Sequence, residues 1–302
     1  MPSFRSLFLL STAAALAQSQ PLQKKQNCDC WKATDASTAV FSNRRFFDFR
    51  DIANPSTPAL ISDQSSDANA PNTNAYFDSA EWTDTWSIQS WATAGEGVAR
   101  QNSKNNVFIA SNDDGSSATY LSMRTARNEG YQTTAEVESV ATNYQYATLR
   151  MKARTTGATG AVTSLFTYLG SPLQEADIEI RTSEDTDIIN YTNQPGSTEG
   201  ATDRATIPAQ WTDWLEYRYD WTPGSSKWYI NDLPVAAIEL QTPTNPLSVL
   251  MNVWSDGGEW SGVMAVGNQA TMDVQWLDVT YNTSSQAGAT CSSVCSLDRE
   301  IA

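Results

Sequence analysis

Three carboxylates occupy every second position in residues 174–180, and they alternate with small or apolar side chains: Glu175, Asp177 and Glu179, separated by Ala176 and Ile178. Side chains of a β-strand point alternately to its two faces, so this spacing predicts a strand whose carboxylates share one face. Like charges this close repel and raise one another's pKa. Because this repulsion costs stability, the arrangement indicates that the carboxylates have a chemical role. Cleavage of a glycosidic bond with retention uses two carboxyl groups roughly 5 Å apart, one as nucleophile and one as acid. A third carboxyl group between them can hold the nucleophile and help to keep the acid protonated.

The alternation by itself has a simpler interpretation. An ordinary half-buried strand with a solvated acidic face has the same pattern, and residues 135–138 repeat it with two carboxylates. Positions four apart on a flat strand also lie about 13 Å apart, at ~3.3 Å per residue. The two glutamates can therefore act on one bond only if the strand belongs to a concave sheet, where long side chains lean inward.

The elements expected to position these carboxylates are β-strands. Short apolar or alternating runs are separated by turns rich in Asn, Asp, Ser, Gly and Pro, and the sequence contains no long amphipathic helix. The runs predict strands at residues 107–110, 120–124, 133–139, 146–153, 161–168, 175–180, 214–221, 227–230, 247–254 and 272–281. This series favours one all-β domain built as a sandwich of two antiparallel sheets. We expect the strands at 146–153, 161–168 and 175–180 to be neighbours in one curved sheet, with the carboxylates on its concave face.

The two ends of the chain are typical of a secreted, extracellular protein. An apolar run at residues 7–16 is too short to span a bilayer, so residues 1–18 are expected to be a secretory signal and residues 19–302 a single domain. The cysteines lie near the two ends: Cys28, Cys30, Cys291 and Cys295. In an oxidising compartment they predict two disulfides that join one end to the other, with the pairing left open. A metal site is the alternative, but without any His we expect no metal and no cofactor.

The composition excludes several classes of function. A net charge of -15 repels phosphate, so nucleic acid is not an expected partner, and no apolar run predicts a membrane anchor. The absence of His removes Ser-His-Asp and Cys-His catalysis and leaves acid-base chemistry to carboxylates. Eleven Trp and eleven Tyr suit the apolar faces of sugar rings, although most such side chains pack in protein cores. Asn190 and Asn282 begin glycosylation sequons, which fit a secreted glycoprotein.

The sequence resembles glycoside hydrolase family 16, which includes laminarinases, lichenases and fungal wall transglycosylases. The family motif Glu-x-Asp-x-Glu is matched by residues 175–179. Three flanking segments agree in order: residues 146–157 with "YGxxxxRxK…G", residues 217–232 with "Y…DWTPxxxxWYVDG" and residues 252–262 with "NxxxGGxWxG". The resemblance implies a β-jelly-roll with a substrate cleft across its concave sheet.

Site residues follow from the same resemblance. Glu175 would be the nucleophile, Asp177 the assisting carboxylate and Glu179 the acid/base. Trp254 and Trp260 become candidate sugar platforms, although both could equally pack under their loop. Asn190 falls on an Asn-Tyr pair that lines the cleft in relatives, so its sequon is expected to be unoccupied.

Three functions are consistent with these residues. The first is a retaining hydrolase, expected to be a monomer, that cleaves internal bonds of a β-1,3 or mixed β-1,3/1,4 glucan. The second is a cell-wall glucan transglycosylase, in which a sugar hydroxyl replaces water as the acceptor. The third is a carbohydrate-binding lectin without turnover, for which three mutually repelling carboxylates serve no evident purpose.

Overall fold

The computed structural model describes residues 28–94, 97–286 and 290–299, so the expected signal at residues 1–18 lies outside the described residues. In this part of the chain the strands are β1 (Cys30–Lys32), β2 (Asn43–Asp48), β3 (Trp86–Ile88), β4 (Ala92–Thr93), β5 (Arg100–Asn102), β6 (Val107–Ser111), β7 (Thr119–Arg127), β8 (Gln132–Ser139), β9 (Tyr144–Gly157), β10 (Val162–Gly170), β11 (Leu173–Arg181), β12 (Ile188–Gln194), β13 (Thr202–Thr206), β14 (Leu215–Thr222), β15 (Ser225–Ile230), β16 (Leu233–Ile238), β17 (Ser248–Trp254), β18 (Gln269–Thr283) and β19 (Val294–Ser296). The helices of the same residues are short: α1 (Gln64–Ala68), α2 (Ala80–Thr83) and 3₁₀ turns at Ala75–Asp78, Lys104–Asn106 and Leu297–Arg299. Among the described residues, no helix has the length and apolar character needed to cross a membrane.

Two antiparallel sheets pack face to face, which confirms the predicted sandwich. The cleft sheet, named for the cavity on its outer face, has the order β3-β8-β17-β10-β11-β12-β13. The back sheet has the order β16-β15-β14-β9-β18, and β18 pairs along its length with β7 and then with β2. The start of β8 pairs with β7 and β5 and its later residues pair with β17 and β3, so β8 connects the two sheets.

The core lies between the two sheets and is built from the alternate residues of each strand that point toward the other sheet. On β11 the inward residues Ala176, Ile178 and Ile180 are at most 3% exposed. Leu149 and Tyr217 of the back sheet belong to the same buried cluster. The apolar half of β11 is therefore anchored in the core, which fixes the direction of its other half.

Tryptophan serves the core more than the surface in this fold. Trp82, Trp86, Trp221 and Trp228 are among the largest fully buried side chains. The ring of Trp228 stacks on Tyr219 with centroids 5.2 Å apart. The abundance of aromatic residues therefore reflects packing first, and sugar binding only at particular positions.

One expected neighbour relation is wrong. The predicted strand at 146–153 forms β9, which pairs with β14 and β18 in the back sheet, whereas β10 lies between β11 and β17 in the cleft sheet. The turn between β9 and β10 crosses from one sheet to the other instead of closing a hairpin. Gly160 has φ +96°, and a Cβ there would lie 2.5 Å from the backbone nitrogen of Met264. A residue without a side chain is therefore required where the chain changes sheets.

The two ends of the described chain are joined covalently. Disulfides link Cys28 to Cys295 and Cys30 to Cys291, each with Cα atoms 5.8 Å apart. This is the end-to-end linkage that the sequence predicts, with the pairing now specified. β1 and β19 form a parallel two-stranded sheet at the same place.

Candidate active site

The three carboxylates of β11 face away from the core and into the cavity on the cleft sheet. Because Ala176 and Ile178 point inward, Glu175, Asp177 and Glu179 must point outward on the same strand. All three line a cavity of about 550 Å³. The predicted carboxylate face is therefore also part of the wall of this cavity.

Strand register extends the carboxylates into rows across the cleft sheet, because paired residues of antiparallel strands point to the same face. In the row of Glu179, Ser164 of β10 and Asn252 of β17 lead to Glu136 of β8. On the other side of Glu179, its partner on β12 is Asn190. Three strand spacings of ~4.8 Å place Glu136 about 14 Å from Glu179 along the sheet.

The row of Asp177 has a different character. Phe166 of β10 and Leu250 of β17 are its successive partners, followed by Glu138 of β8. Both apolar side chains are at most 8% exposed, yet both contribute to the cavity wall. The cavity floor therefore has an apolar row beside a polar one, which suits a ligand with apolar faces and hydroxylated edges.

Asp177 is the most enclosed of the three carboxyl groups. Its burial raises its pKa well above the ordinary value, and the charges of Glu175 and Glu179 raise it further. The amide of Gln194 donates to its Oδ2 at 3.2 Å. A buried acid with two carboxylate neighbours retains its proton, and in that form it can donate to Glu175.

Burial raises the pKa of both glutamates, and in each case a hydrogen bond from a neighbour opposes that rise. Burial raises the pKa of Glu175, and the hydrogen bond from Asp177 opposes that rise. Burial raises the pKa of Glu179 to about 7, against a hydrogen bond from Trp260. A Glu179 with a pKa of about 7 carries its proton up to neutral pH, while the hydrogen bond from Asp177 stabilises the ionised form of Glu175. Double displacement requires this combination of a protonated acid and an ionised nucleophile.

The structure places the other three predicted residues differently from one another. Trp254 lines the cavity, and the guanidinium of Arg100 lies 5.3 Å from its ring centroid. Trp260 lies outside the lining residues, is 38% exposed and donates its indole N–H to Glu179 Oε1 at 3.2 Å. Asn190 is 2% exposed, and its side-chain nitrogen donates to Glu184 Oε2 at 2.7 Å. Since a glycan would need that nitrogen, the enclosure favours the prediction that this sequon is unoccupied.

Several cavity residues have no counterpart in the sequence predictions. They include two aromatic side chains, a guanidinium and two carboxylates: Trp91, Tyr168, Arg100, Glu136 and Glu138. Burial and a hydrogen bond with Glu138 raise the pKa of Glu136 to about 8. The signal for the two carboxylates was the alternation at residues 135–138, which needed the pairing of β8 with β17 to become informative.

The described residues contain no group of three or more His, Cys, Asp or Glu side chains placed to hold a metal ion. The chemistry that the site can perform with its own side chains is proton transfer and nucleophilic attack by carboxyl groups.

Comparison with known proteins finds β-glucanases among the relatives of this chain. The β-glucanase of Bacillus subtilis (strain 168) is 33% identical over 145 residues, which are 45% of this chain and 59% of that protein. The β-glucanase of Bacillus amyloliquefaciens is 31% identical over 142 residues, 44% of this chain and 59% of that protein. The chain therefore spans about three fifths of the length of these relatives.

Solved structures share the fold at lower identity. The Bacillus licheniformis β-glucanase aligns with a TM-score of 0.55 and 20% identity over 66% of this chain and 92% of that one. A β-1,3-1,4-glucanase (lichenase) from a mouse hindgut metagenome aligns with a TM-score of 0.55 and 17% identity, over 66% of this chain and 94% of that one. These likenesses show the jelly-roll sandwich that the resemblance implied.

The family model itself covers most of the structure that forms the cleft. Residues 94–278 match the model described as glycosyl hydrolases family 16, and they include the carboxylates of both β8 and β11. This match extends over more than half of the sequence, and the chain therefore belongs to glycosyl hydrolases family 16.

Proposed function

We propose that this protein is an extracellular retaining β-glucanase that cleaves internal bonds of a β-1,3 or mixed β-1,3/1,4 glucan by double displacement. The observation that carries the proposal is the set of three carboxyl groups on one face of β11, all of which line the cavity of the cleft sheet. Relatives named β-glucanase support the substrate class. The two disulfides support an extracellular location.

The reaction begins with Glu175 ionised and Glu179 protonated. Glu175 attacks the anomeric carbon while Glu179 gives its proton to the departing glycosidic oxygen, which leaves a glycosyl ester on Glu175. Asp177 donates a hydrogen bond to Glu175 before the attack and holds the carboxylate in position. Glu179, now ionised, takes a proton from water, and that water displaces Glu175 with overall retention.

The length and lining of the cleft support action on a polymer. The wall extends from β11 across β10 and β17 to β8, a distance of about 14 Å, which accommodates several sugar units on one side of the cleavage point. Trp91 and Tyr168 are 47% and 40% exposed and present aromatic faces to this space. Such faces bind the apolar sides of sugar rings with little selection for chain ends.

The test is release of reducing ends from laminarin and from barley mixed-linkage glucan by the wild type and by Glu175→Gln and Glu179→Gln. We expect each substitution to reduce kcat by about 10³-fold or more, because each removes a group that reacts. Glu239→Gln is the matched control, since Glu239 is exposed and outside the cleft. Retention of substantial activity in both variants contradicts the proposal.

The same assay separates the alternatives. Binding of either glucan without release of reducing ends by the wild type indicates a lectin. Oligosaccharides that become longer instead of shorter indicate a transglycosylase, because the first half of the reaction is shared and the acceptor differs.

A further inference from the structure

We propose that Trp260, fixed by Arg181, is a positioning residue that holds one oxygen of Glu179 and thereby assigns proton transfer to the other. The proposal rests on the proposed function, because it gives Trp260 a role in the same carboxylate site. It replaces the role of sugar platform with a role in the geometry of the acid/base.

The contact between Trp260 and Glu179 joins a loop to the catalytic strand. Trp260 lies in the segment between β17 and β18, and its indole Nε1 donates to Glu179 Oε1 at 3.2 Å. Indole is a donor that cannot accept a hydrogen bond. Oε1 is therefore the accepting oxygen. Because the carbonyl oxygen of a protonated carboxyl group is a better acceptor than its hydroxyl oxygen, this contact favours the proton of Glu179 on Oε2. The oxygen that faces the glycosidic bond during proton transfer is thus chosen by Trp260.

Arg181 fixes Trp260 from the same strand that carries Glu179. It lies two residues after Glu179, so both side chains emerge on one face of β11. Its Nε donates to the carbonyl oxygen of Trp260 at 2.7 Å, and its guanidinium carbon lies 4.4 Å from the centroid of the Trp260 ring. The backbone and the ring of Trp260 are therefore both held by one planar cation.

A second layer of contacts holds Arg181. Its Nη1 lies 3.3 Å from Glu184 Oε1, and Arg204 Nε donates to the same oxygen at 2.7 Å. Asn190 donates to the other oxygen of Glu184 at 2.7 Å. Asn190, on the same face of the sheet as Glu179, thus supports this network through Glu184.

The loop that carries Trp260 is itself ordered by short contacts. The carboxylate of Asp256 accepts from the backbone of Gly258 and from Ser261 Oγ, both at 2.8 Å. The backbone of Gly262 donates to Gly258 at 2.9 Å, and Val98 donates to the carbonyl oxygen of Asp256 at 2.9 Å. Trp260 is therefore presented by a defined turn, although its ring is partly exposed.

The proton balance of Glu179 depends on all charged groups around it. They are Glu175, Asp177 and Arg181 on its own strand, Glu184 and Arg204 on the side of β12, Glu259 beside Trp260, and Glu136, Glu138 and Arg100 across the cavity. Burial favours the protonated form, which acts as the acid. The indole N–H favours the ionised form, which acts as the base in the second step. Trp260 therefore keeps both forms accessible near neutral pH.

The activity test uses Trp260→Phe, which keeps a ring for Arg181 and removes the N–H donor. We expect the alkaline limb of kcat/KM to move up by about one pH unit and kcat to fall about tenfold, with KM within about twofold of the wild type. Trp254→Phe is the matched control, because Trp254 lines the same cavity, whereas the indole that donates to Glu179 is that of Trp260. It should change KM and leave the alkaline limb in place. A changed KM with an unchanged limb in Trp260→Phe overturns the proposal in favour of a sugar platform.

A second measurement does not depend on turnover. The indole N–H resonance of Trp260, identified by its loss in Trp260→Phe, should titrate with an apparent pKa near 7 in the wild type and lose that titration in Glu179→Gln. An indole resonance that does not respond to pH overturns the positioning role. A titrating indole in a protein that hydrolyses no β-glucan would instead leave the contact intact and refute the proposed function.

Discussion

At the scale of single residues, the cleft contains two groups of carboxyl side chains, one on β11 and one on β8. Glu136 of β8 is 9% exposed, and its Oε2 accepts from Asn252 at 3.4 Å. Burial and Glu138 raise its pKa to about 8, whereas an unfolded chain leaves a glutamate near 4.5. Because the folded state binds this proton more tightly, Glu136 reduces the free energy of unfolding as the pH rises between these two values.

This difference predicts the effect of Glu136→Gln on stability. At about pH 5 both side chains are neutral and the variant should match the wild type within about 1 kcal/mol, while at about pH 9 it should be more stable by on the order of 2 kcal/mol. Urea unfolding at both values measures the change, with Glu239→Gln as the exposed control. A difference between variant and wild type that is the same at both pH values contradicts the expected proton linkage.

At the scale of elements, local alternation predicted the strands and long-range pairing decided the site. The ten predicted strands are all present, because each is an apolar or alternating run bounded by turn residues. β12 was not among the predicted strands, although Ile189 and Tyr191 lie in the core while Asn190 and Thr192 form a buried polar face. β1 and β19 are three residues each, too short for any periodic pattern.

The candidate site likewise contains residues that the sequence predicted and residues that only strand pairing places there. Glu175, Asp177 and Glu179 were predictable because they share one strand and one face. Glu136 and Glu138 reach the cleft through pairs such as Asn252 with Glu136, which are far apart in the chain and depend on register. The roles proposed for Trp260 and Arg181 depend on contacts between β11 and a distant loop, which no spacing in the sequence encodes.

The crossing between the sheets gives a prediction at this scale. Gly160→Ala should reduce the free energy of unfolding by about 3 kcal/mol or more, because the new Cβ adds a clash with Met264 to the strain of a positive φ. Gly224→Ala is the matched control, since Gly224 has φ +74° and nothing within 4 Å of its Cβ position. It should cost only about 1 to 2 kcal/mol. Chemical denaturation measures both, and equal losses would show that the close approach contributes nothing.

At the scale of the whole molecule, the disulfides are separate in sequence from the segment that matches the family model. Both disulfides lie outside residues 94–278, and none of the four cysteines lines the cavity. They were predictable from the secreted character of the sequence, while their pairing required the arrangement of β1 beside β19. The cross-links therefore stabilise the fold without taking part in the chemistry.

The double variant Cys30→Ser, Cys291→Ser tests this separation. Loss of one cross-link over 261 residues should reduce the free energy of unfolding by about 2 to 5 kcal/mol, because the unfolded chain gains freedom. At a temperature where the variant remains folded, kcat should stay within about twofold of the wild type. Thermal unfolding and glucan hydrolysis on the same sample check both parts, and a large loss of kcat in folded protein would contradict the separation.

The central claim is that Glu175 attacks the sugar and Glu179 exchanges the proton, so that the bond is cleaved with retention. Time-resolved NMR of the new reducing ends released from barley mixed-linkage glucan tests it most directly. We expect the β-anomer to form first and to equilibrate later with the α-anomer, and we expect Glu175→Gln to form neither. Initial formation of the α-anomer would show inversion and contradict the assignment of Glu175 as nucleophile.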